Sequence, residues 1–143
     1  MIRKMLPSER EAVATLFAAA REAAHWSSND LVQLEACGAQ IWVDVEEGRL
    51  TGAVASREVA GETEILNLAV SSEWRRRGIG RQLMQTALEE AASSRVGRVF
   101  LEVRESNTGA REFYYRLGFS LDGRRRNYYR NPAEDALLLS RSL

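Results

Sequence analysis

The central segment of this chain reads Arg75-Arg76-Arg77-Gly78-Ile79-Gly80-Arg81. It follows an apolar run at residues 65–70 and opens a helical pattern that begins at Ile79. Its two glycines leave room for the backbone to come close to a ligand. The first N–H groups of a helix lack intrahelical acceptors and carry the positive end of the helix dipole. Together with the flanking arginines, these features predict a binding site for a phosphate-bearing ligand.

Two well-known phosphate-binding motifs do not match this segment. A P-loop requires Lys and then Ser or Thr after its second glycine, whereas Arg81 and Gln82 stand there. A dinucleotide-binding motif requires a third glycine where this chain has Leu83, and an acidic residue at a strand end about 20 residues later. Glu102 falls inside a predicted strand instead. These mismatches disfavour ATP, GTP and NAD. The residues alone also allow a second interpretation, in which the segment is an ordinary glycine-containing turn before a helix and binds no phosphate.

Length and composition predict one domain spanning residues 1–143. The chain has 143 residues, of which 45% are hydrophobic, enough for a sizeable core. Its formal net charge is +0, so no overall field draws it to nucleic acid or to a membrane. Cys37 is the only cysteine, which is typical of a reducing cytoplasm. Residues 1–7 lack the apolar core of a signal peptide, and no run reaches the ~20 apolar residues of a membrane span. We therefore expect a cytoplasmic protein.

Hydrophobic periodicity predicts strands that alternate with helices. Strands are predicted at residues 2–6, 41–45, 50–59, 64–70, 99–104, 120–129 and 136–143. Helices are predicted from Pro7 to about Ala24, from Ser27 onward, from Ile79 toward Gly97, and near residues 108–117 with Gly118 as a stop. Short loops make the strands at 41–70 an antiparallel meander, whereas a helical crossover makes the strands at 64–70 and 99–104 parallel. The predicted fold class is α/β, with a mixed, mostly antiparallel sheet flanked by helices and a βαβ core.

Four blocks of the second half occur in the order and spacing of one enzyme superfamily. They are Asn67-Leu68-Ala69-Val70, residues 75–81, Leu101-Glu102-Val103-Arg104-Glu105-Ser106-Asn107 and Phe113-Tyr114-Tyr115-Arg116-Leu117-Gly118-Phe119. The chain thereby resembles the GNAT acetyltransferases, whose R/Q-x-x-G-x-G/A loop binds the pyrophosphate of acetyl-coenzyme A. The resemblance implies a GNAT-like fold with an acetyl-coenzyme A-binding βαβ core, acetyl-coenzyme A as co-substrate, and no metal.

A further block narrows the resemblance. Arg125-Arg126-Asn127-Tyr128-Tyr129, followed by Glu134-Asp135-Ala136, is similar to the RimI-type N-terminal acetyltransferases. Those enzymes acetylate the N-terminal alanine of a small-subunit ribosomal protein, which implies that the partner here is a protein N-terminus. Residues 65–140 carry the likeness. The first 60 residues resemble this group of enzymes only in the turn at Trp26-Ser27. His25 precedes that turn, where many relatives have proline.

The resemblance assigns proton-transfer roles to Glu102 and Tyr114. Glu102 matches the family's proton acceptor, and Tyr114 matches the donor that protonates the leaving thiolate. An α-amino group has a pKa of about 7.7–8.0 and a lysine about 10.4, so one modest base suffices for an N-terminus. The alternative interpretations are structural. Glu102 would pair with Arg104 or another arginine, and Tyr114 would only pack beside Phe113 and Leu117.

The resemblance also implies the residues that bind the cofactor. The backbone of Leu68, Ala69 and Val70 is expected to hold the acetyl and pantetheine portion and to stabilise the oxyanion. The pyrophosphate is expected to be cradled, mainly by backbone N–H groups, by Arg76, Arg77, Gly78, Ile79, Gly80 and Arg81. Asn107 matches a coenzyme A contact, and it is also a good N-cap for the following helix.

The remaining candidate residues are less suited to catalysis or ligand binding. Cys37 has no base nearby in sequence, and the single histidine, His25, disfavours a histidine triad or a multi-histidine metal site. Arg124-Arg125-Arg126 is predicted to be a solvated charged turn, and no nucleic-acid binding is inferred from it. By resemblance, Tyr128 and Tyr129 line a peptide entrance. Acetylation of a small-molecule amine and a non-catalytic acyl-coenzyme A sensor stay open as alternatives.

Overall fold

The computed structural model describes residues 1–20 and 23–143 as one mixed sheet with helices on both faces. The strands are β1 Ile2–Lys4, β2 Gln40–Glu46, β3 Arg49–Val59, β4 Glu62–Val70, β5 Arg98–Arg104, β6 Ser120–Tyr129 and β7 Glu134–Ser142. The α-helices are α1 Arg10–Ala19, α2 Ser28–Ala36, α3 Ile79–Ser93 and α4 Thr108–Arg116. None of the described helices is both long and apolar enough to cross a membrane.

Two helix ends differ from their predictions. The first helix ends at Ala19 instead of about Ala24, because Ala20 is extended, with φ −86° and ψ 113°. The predicted continuation over Arg21 and Glu22 lies outside the described residues. The helix α3 ends at Ser93, before the predicted stop at Gly97, and Arg95 takes a left-handed φ of 59° there. The predicted stop after α4 is confirmed, since Gly118 has φ 88°.

The sheet has the strand order β1-β2-β3-β4-β5-β7-β6. β2, β3 and β4 form the predicted antiparallel meander. β4 and β5 are parallel, which confirms the predicted βαβ unit. β7 then pairs with β5, and β6 pairs with the outer side of β7, both antiparallel. Residues of β6 are therefore separated from β5 by only one strand.

Helices cover the two faces of the sheet unequally. α3 and α4 pack on one face, here called the α3 face, where Leu83 and Met84 are fully buried. α1 and α2 pack on the other, here called the α1 face, where Phe17 and Leu31 are fully buried. Among the described residues, the apolar cluster on the α1 face contains none from β5, β6 or β7. The part of the α1 face formed by these three strands is therefore open, and we call it the open face.

The two parallel strands separate along their length. In the described part of the chain, β4 and β5 pair only over residues 63–64 and 99–100. The register between β3 and β4 shifts directly after this point, which leaves Leu66 as the extra residue of a β-bulge. A bulge bends its strand and increases the local twist. The carboxyl-terminal halves of β4 and β5 therefore flank a gap, and the edges that face it are not paired with each other.

Gly52 on β3 sets how closely α3 approaches the sheet. A Cβ at this position would lie 2.9 Å from Leu83 Cδ1, 3.1 Å from the Ala69 carbonyl oxygen and 3.2 Å from Ile79 Cγ2. These separations are shorter than the optimal distance between non-bonded atoms. The missing side chain lets the first turns of α3 lie directly on β3 and β4. It thereby fixes where the helix begins relative to the gap.

Replacement of Gly52 by alanine is expected to destabilise the fold by about 1–3 kcal/mol, because added bulk in a close-packed core forces its neighbours to shift. Urea denaturation followed by circular dichroism measures the change. Gly97→Ala is the matched control, since a Cβ at Gly97 meets nothing within 4 Å. Equal free energies of unfolding for the two variants would contradict this account of the packing.

Candidate active site

The first turn of α3 presents unpaired N–H groups at the end of β4. Gly78 is the N-cap residue, with a left-handed φ of 81°, and none of the described side chains caps the helix. The first intrahelical bond is donated by the Gln82 N–H to the Gly78 carbonyl, at 3.0 Å. The N–H groups of residues 79–81 therefore have no acceptor within the helix. They and the helix dipole form an anion-binding site.

The side chains of this segment divide between solvent and core. Arg76, Arg77 and Arg81 are exposed, whereas Ile79 is buried in the cluster on the α3 face. The Arg77 guanidinium lies 4.6 Å from the centroid of the Trp74 ring, a cation–π contact. Three guanidinium groups beside unpaired N–H groups suit a ligand with several negative charges, such as a pyrophosphate.

Gly80 leaves space beside these N–H groups. A Cβ here would make ordinary contacts, at 3.6 Å from Val70 Cγ2 and 3.7 Å from Phe113 Cζ. The protein itself therefore has room for a side chain at this position. The absence of one keeps the approach to the helix start open for a ligand, which fits the predicted pyrophosphate loop.

The end of β4 directs part of its backbone into the gap. The Ser71 N–H donates to a β3 carbonyl at 2.7 Å, so Ser71 faces β3. Neighbouring residues of an antiparallel strand direct their backbone groups to opposite edges, so Val70 and Leu68 face β5 while Ala69 faces β3. The Leu68 N–H donates to the Asn67 side chain at 3.2 Å. Of the three predicted backbone contacts, the Val70 N–H is the donor directed into the gap.

Asn67 ties the segment after α1 to the end of β4. Its Nδ2 donates to the Ala24 carbonyl at 2.9 Å, and its Oδ1 accepts from the Ala24 N–H at 3.3 Å. The Asn67 side chain is buried. Nearby, Trp26 packs edge-on against Phe17, with ring centroids 5.6 Å apart. The connection between α1 and α2 is thereby held on the α1 face, beside the gap.

The helix α4 begins where β5 ends. Asn107 is its N-cap and accepts from the Ala110 N–H at 3.1 Å, which confirms the predicted capping role. A cleft of about 230 Å³ separates α4 from the first turn of α3. It is lined by Arg81, Gly109, Glu112, Phe113, Arg116 and Leu117. The predicted pyrophosphate segment and Asn107 therefore lie at the same edge of the sheet.

Glu102 lies on the open face. Leu101 and Val103 are buried on the α3 face, so the alternation of the strand turns Glu102 to the opposite side. The Glu102 side chain is 17% exposed, and its Oε1 lies 3.3 Å from Arg125 Nε. Glu102 therefore also forms an ion pair, as the alternative interpretation expected, and its partner is Arg125 and not Arg104.

The arginine-rich segment lies within the predicted strand over residues 120–129, with its arginines exposed; the expected turn at these residues is wrong. Arg124, Arg125 and Arg126 all belong to β6, the edge strand of the sheet. Arg124 forms ion pairs at 2.8 Å with both Glu105 and Asp135. Charged side chains are common on edge strands, where they prevent pairing with another chain. Sequence reasoning missed the contact of Arg125 with Glu102, because the placement of β7 between β5 and β6 was not predictable.

Glu64 on β4 is a second carboxylate on the same side of the sheet. It pairs in register with Phe100, two residues before Glu102 on β5. Burial raises the pKa of Glu64; the Arg57 guanidinium, 3.8 Å away, opposes this rise, and the charge of Glu102 adds to it. Two neighbouring carboxylates suit a cationic amine. Sequence reasoning missed Glu64, and the available signal was a charged residue at the start of the predicted strand over residues 64–70.

Two tyrosines of the β6–β7 hairpin stand beside Glu102. The Arg104 guanidinium lies 4.1 Å from the Tyr129 ring centroid, and that of Arg125 lies 5.4 Å from the Tyr128 ring centroid. Burial raises the pKa of Tyr129, and the negative charge of Glu102 adds to this rise. The predicted position of both tyrosines next to the site thus agrees with their placement in the hairpin.

Tyr114 lies on the α3 face, on the other side of the sheet from Glu102. It is buried in the core of that face, edge-on to Phe113 at 5.1 Å and to Phe119 at 5.7 Å between ring centroids. Burial raises the pKa of the Tyr114 hydroxyl. The hydroxyl therefore stays protonated at neutral pH and can serve as a proton donor. The packing role and the donor role are compatible.

The gap between β4 and β5 separates the candidate base from the candidate acid. Glu102 faces the open face, and Tyr114 belongs to the α3 face, next to the start of α3. A carbonyl group that accepts a hydrogen bond from the Val70 N–H in the gap would be open to a nucleophile from one face. Its leaving group would depart toward the other. This arrangement suits direct acyl transfer between two ligands bound on opposite faces.

Comparison with known proteins identifies a family and several relatives. The family model described as Acetyltransferase (GNAT) family matches residues 8–119. A ribosomal protein bS18-alanine N-acetyltransferase of Escherichia coli K12 is 33% identical over 97 residues, which make up 66% of this chain and 66% of that protein. A 5-NmdU N-acetyltransferase of Pseudomonas phage PaMx11 is 30% identical over 127 residues, 86% of this chain and 89% of that protein.

A solved structure extends the likeness over the whole fold. The crystal structure of the ribosomal-protein-S18-alanine N-acetyltransferase from Escherichia coli matches with a TM-score of 0.90 and 26% sequence identity. The match covers 99% of this chain and 92% of that chain. It confirms the predicted fold class, including the mixed sheet and its βαβ core.

Replacement of Gly80 by aspartate is expected to weaken acetyl-coenzyme A binding at least tenfold, or by about 1.4 kcal/mol. The carboxylate would occupy the space beside the unpaired N–H groups and repel a phosphate. The same carboxylate interacts favourably with the start of α3, so the fold should keep its stability. Isothermal calorimetry measures the affinity, and Gly97→Asp is the control. Unchanged affinity in a folded Gly80 variant would remove the pyrophosphate assignment.

Proposed function

Because this chain belongs to the acetyltransferase (GNAT) family, we propose that it transfers the acetyl group of acetyl-coenzyme A to the N-terminal α-amine of a protein. The favoured acceptor is a ribosomal protein that begins with alanine. The names of the Escherichia coli relatives, in sequence and in structure, support this acceptor. Such an acceptor implies a cytoplasmic enzyme.

The observation that carries this proposal is the open face beside the gap. It is bordered by the Ala24–Trp26 connection, which Asn67 holds against β4, and by the hairpin with Tyr128 and Tyr129. An extended chain end can lie on such a surface and use its main-chain groups for binding. Its terminal amine then reaches Glu102 at the edge of the gap.

Each protein group has one task in the proposed reaction. Acetyl-coenzyme A supplies an activated thioester, held by the start of α3 and by Asn107. Glu102 accepts a proton from the acceptor's ammonium group, and the neutral amine forms the new N–C bond as the C–S bond breaks. The Val70 N–H donates to the carbonyl oxygen as its negative charge grows. Tyr114 donates its hydroxyl proton to the departing sulfur. The new amide nitrogen then releases its second proton to solvent, and solvent returns a proton to Tyr114.

The chemistry of the amine favours an N-terminus over a lysine. An α-amine has a pKa of about 7.7–8.0, whereas a lysine has about 10.4, so a single carboxylate is an adequate base for the former. The competing acceptor is a small-molecule amine. Because a phage relative named as a 5-NmdU N-acetyltransferase matches 86% of this chain, the acceptor test includes small amines beside peptides.

The substitution Glu102→Gln is expected to lower kcat by roughly 10²–10⁴ at neutral pH, because the proton acceptor is lost. The deficit should shrink at high pH, where the amine is already neutral. Tyr114→Phe should slow transfer while leaving acetyl-coenzyme A affinity nearly intact, since the ring still packs. Coenzyme A release measures both rates. The exposed residues Glu58 and Tyr115 provide the matched controls Glu58→Gln and Tyr115→Phe. Wild-type rates and pH profiles in both test variants would contradict this mechanism.

Acceptor choice is tested with three peptides of one sequence and a panel of small amines. The first peptide has a free alanine N-terminus, the second an acetylated N-terminus and a free lysine, and the third a bulky first residue. Intact-mass analysis should show the fastest transfer to the first peptide. Faster transfer to the blocked peptide's lysine, or to small amines over all peptides, would exclude the N-terminal proposal and leave acetyl transfer itself standing.

A further inference from the structure

Arg125 reaches Glu102 across an intervening strand. Arg125 on β6 is opposite Ala136 on β7, and Ala136 is opposite Arg104 on β5. The methyl group of Ala136 is small, so the Arg125 side chain can extend over β7 toward β5. Its Nε lies 3.3 Å from Glu102 Oε1. The contact therefore depends on the order β5-β7-β6 and on a small residue between the two charged groups.

The hairpin holds Arg125 in place from two sides. After Arg125, the pairing of β6 with β7 is irregular up to Tyr129. Asp135 fixes this irregular stretch, because its carboxylate accepts from the Asn127 N–H and from Arg124, both at 2.8 Å. Tyr128 then packs 5.4 Å from the Arg125 guanidinium. The position of Arg125 is therefore set by structure beyond its contact with Glu102.

The other charged groups near Glu102 are either negative or paired with other residues. Glu64 on β4 places a second negative charge next to Glu102 and is itself paired with Arg57. Arg104, on the same strand as Glu102, pairs with Glu134 at 3.2 Å and stacks on Tyr129. Among the described residues, Arg125 is the cation in direct ion-pair contact with Glu102. Like charges repel each other, so the Glu102 carboxylate needs a cation to hold its position beside Glu64.

We propose that Arg125 is a positioning residue for acetyl transfer, which holds the Glu102 carboxylate in place beside Glu64, ready to take a proton from the acceptor amine. This inference rests on the proposed function, because it assigns Glu102 the role of base. Arg125 itself touches neither the acetyl group nor the amine. A surface ion pair of this kind contributes little to stability, so its effect should appear in catalysis and not in folding.

The test compares Arg125→Gln with Arg126→Gln. Arg126 is the next residue on the same strand, exposed, with no ion pair to the described residues, so its variant removes the same charge without the Glu102 contact. At pH 7, Arg125→Gln should lower kcat at least tenfold, whereas the KM for acetyl-coenzyme A should stay unchanged. The loss should shrink as pH rises, because the amine is then already neutral and depends less on a positioned base. Arg125→Lys should restore much of the rate.

Two outcomes overturn the inference. The first is that Arg125→Gln and Arg126→Gln share the wild-type kcat and pH profile. The second is a loss in Arg125→Gln that is equal at all pH values, which would indicate a purely structural effect. A wild-type enzyme that acetylates none of the peptides would instead contradict the proposed function.

A measurement that needs no substrate tests the role of Arg125 even if the enzyme acetylates none of the peptides. The side-chain carboxyl carbon of Glu102 is followed by NMR in glutamate-labelled protein, with Glu102→Gln identifying the resonance. At pH 7, the resonance of the Glu102 carboxyl carbon should move from its wild-type position in Arg125→Gln and not in Arg126→Gln, because only the former loses the ion pair. An unchanged resonance in both variants would overturn the proposed role of Arg125.

Discussion

The separation of β4 from β5 is the constraint on which the whole site depends. The strands stay paired only over residues 63–64 and 99–100, and the bulge at Leu66 follows at once. If the parallel ladder continued, the Val70 N–H would bond to β5 and no ligand could enter between the strands. The parallel direction of the two strands brings the starts of α3 and α4 to one edge of the sheet, because each helix follows the end of its strand. The gap therefore supplies the space for a ligand and has the Val70 N–H directed into it, and the anion site at the start of α3 lies at the same edge of the sheet.

The sheet also divides the chemistry between its faces. On the α3 face, burial keeps the Tyr114 hydroxyl protonated and surrounds it with apolar side chains. On the α1 face, Arg57, Glu64, Glu102 and Arg125 form a partly exposed row across the sheet, in which two adjacent carboxylates lie between two guanidinium groups. A proton donor in a dry core and a proton acceptor near solvent suit a reaction in which one ligand arrives from each face. The acceptor amine meets charged groups that can receive its proton, and the thiol product meets an apolar environment.

The sequence predicted local features well and spatial neighbours less well. Glycines 78 and 80, the helix start at Ile79 and the Asn107 cap follow from rules that act within a few residues, and the structure contains all of them. The parallel pairing of β4 and β5 follows from the handed crossover between them. The contact between Arg125 and Glu102 depends on β7 lying between β5 and β6, which no local pattern encodes. The early end of α1 at Ala19 and the bulge at Leu66 were missed because tertiary packing, and not propensity, determines both. The roles of Glu102, Tyr114 and the cofactor-binding residues stay predictions that rest on family resemblance and geometry.

The central claim is that the acetyl group is transferred through the gap, from the α3 face to an amine on the open face. It is tested most directly by a crystal structure with a conjugate that joins coenzyme A, through an acetyl bridge on its sulfur, to the α-amine of a peptide that begins with alanine. We expect the pyrophosphate at the N–H groups of residues 79–81 and the bridge carbonyl on the Val70 N–H. The peptide should cross the open face, with its amine nitrogen within hydrogen-bond distance of Glu102. A peptide bound on the α3 face, or an amine out of reach of Glu102, would contradict the account.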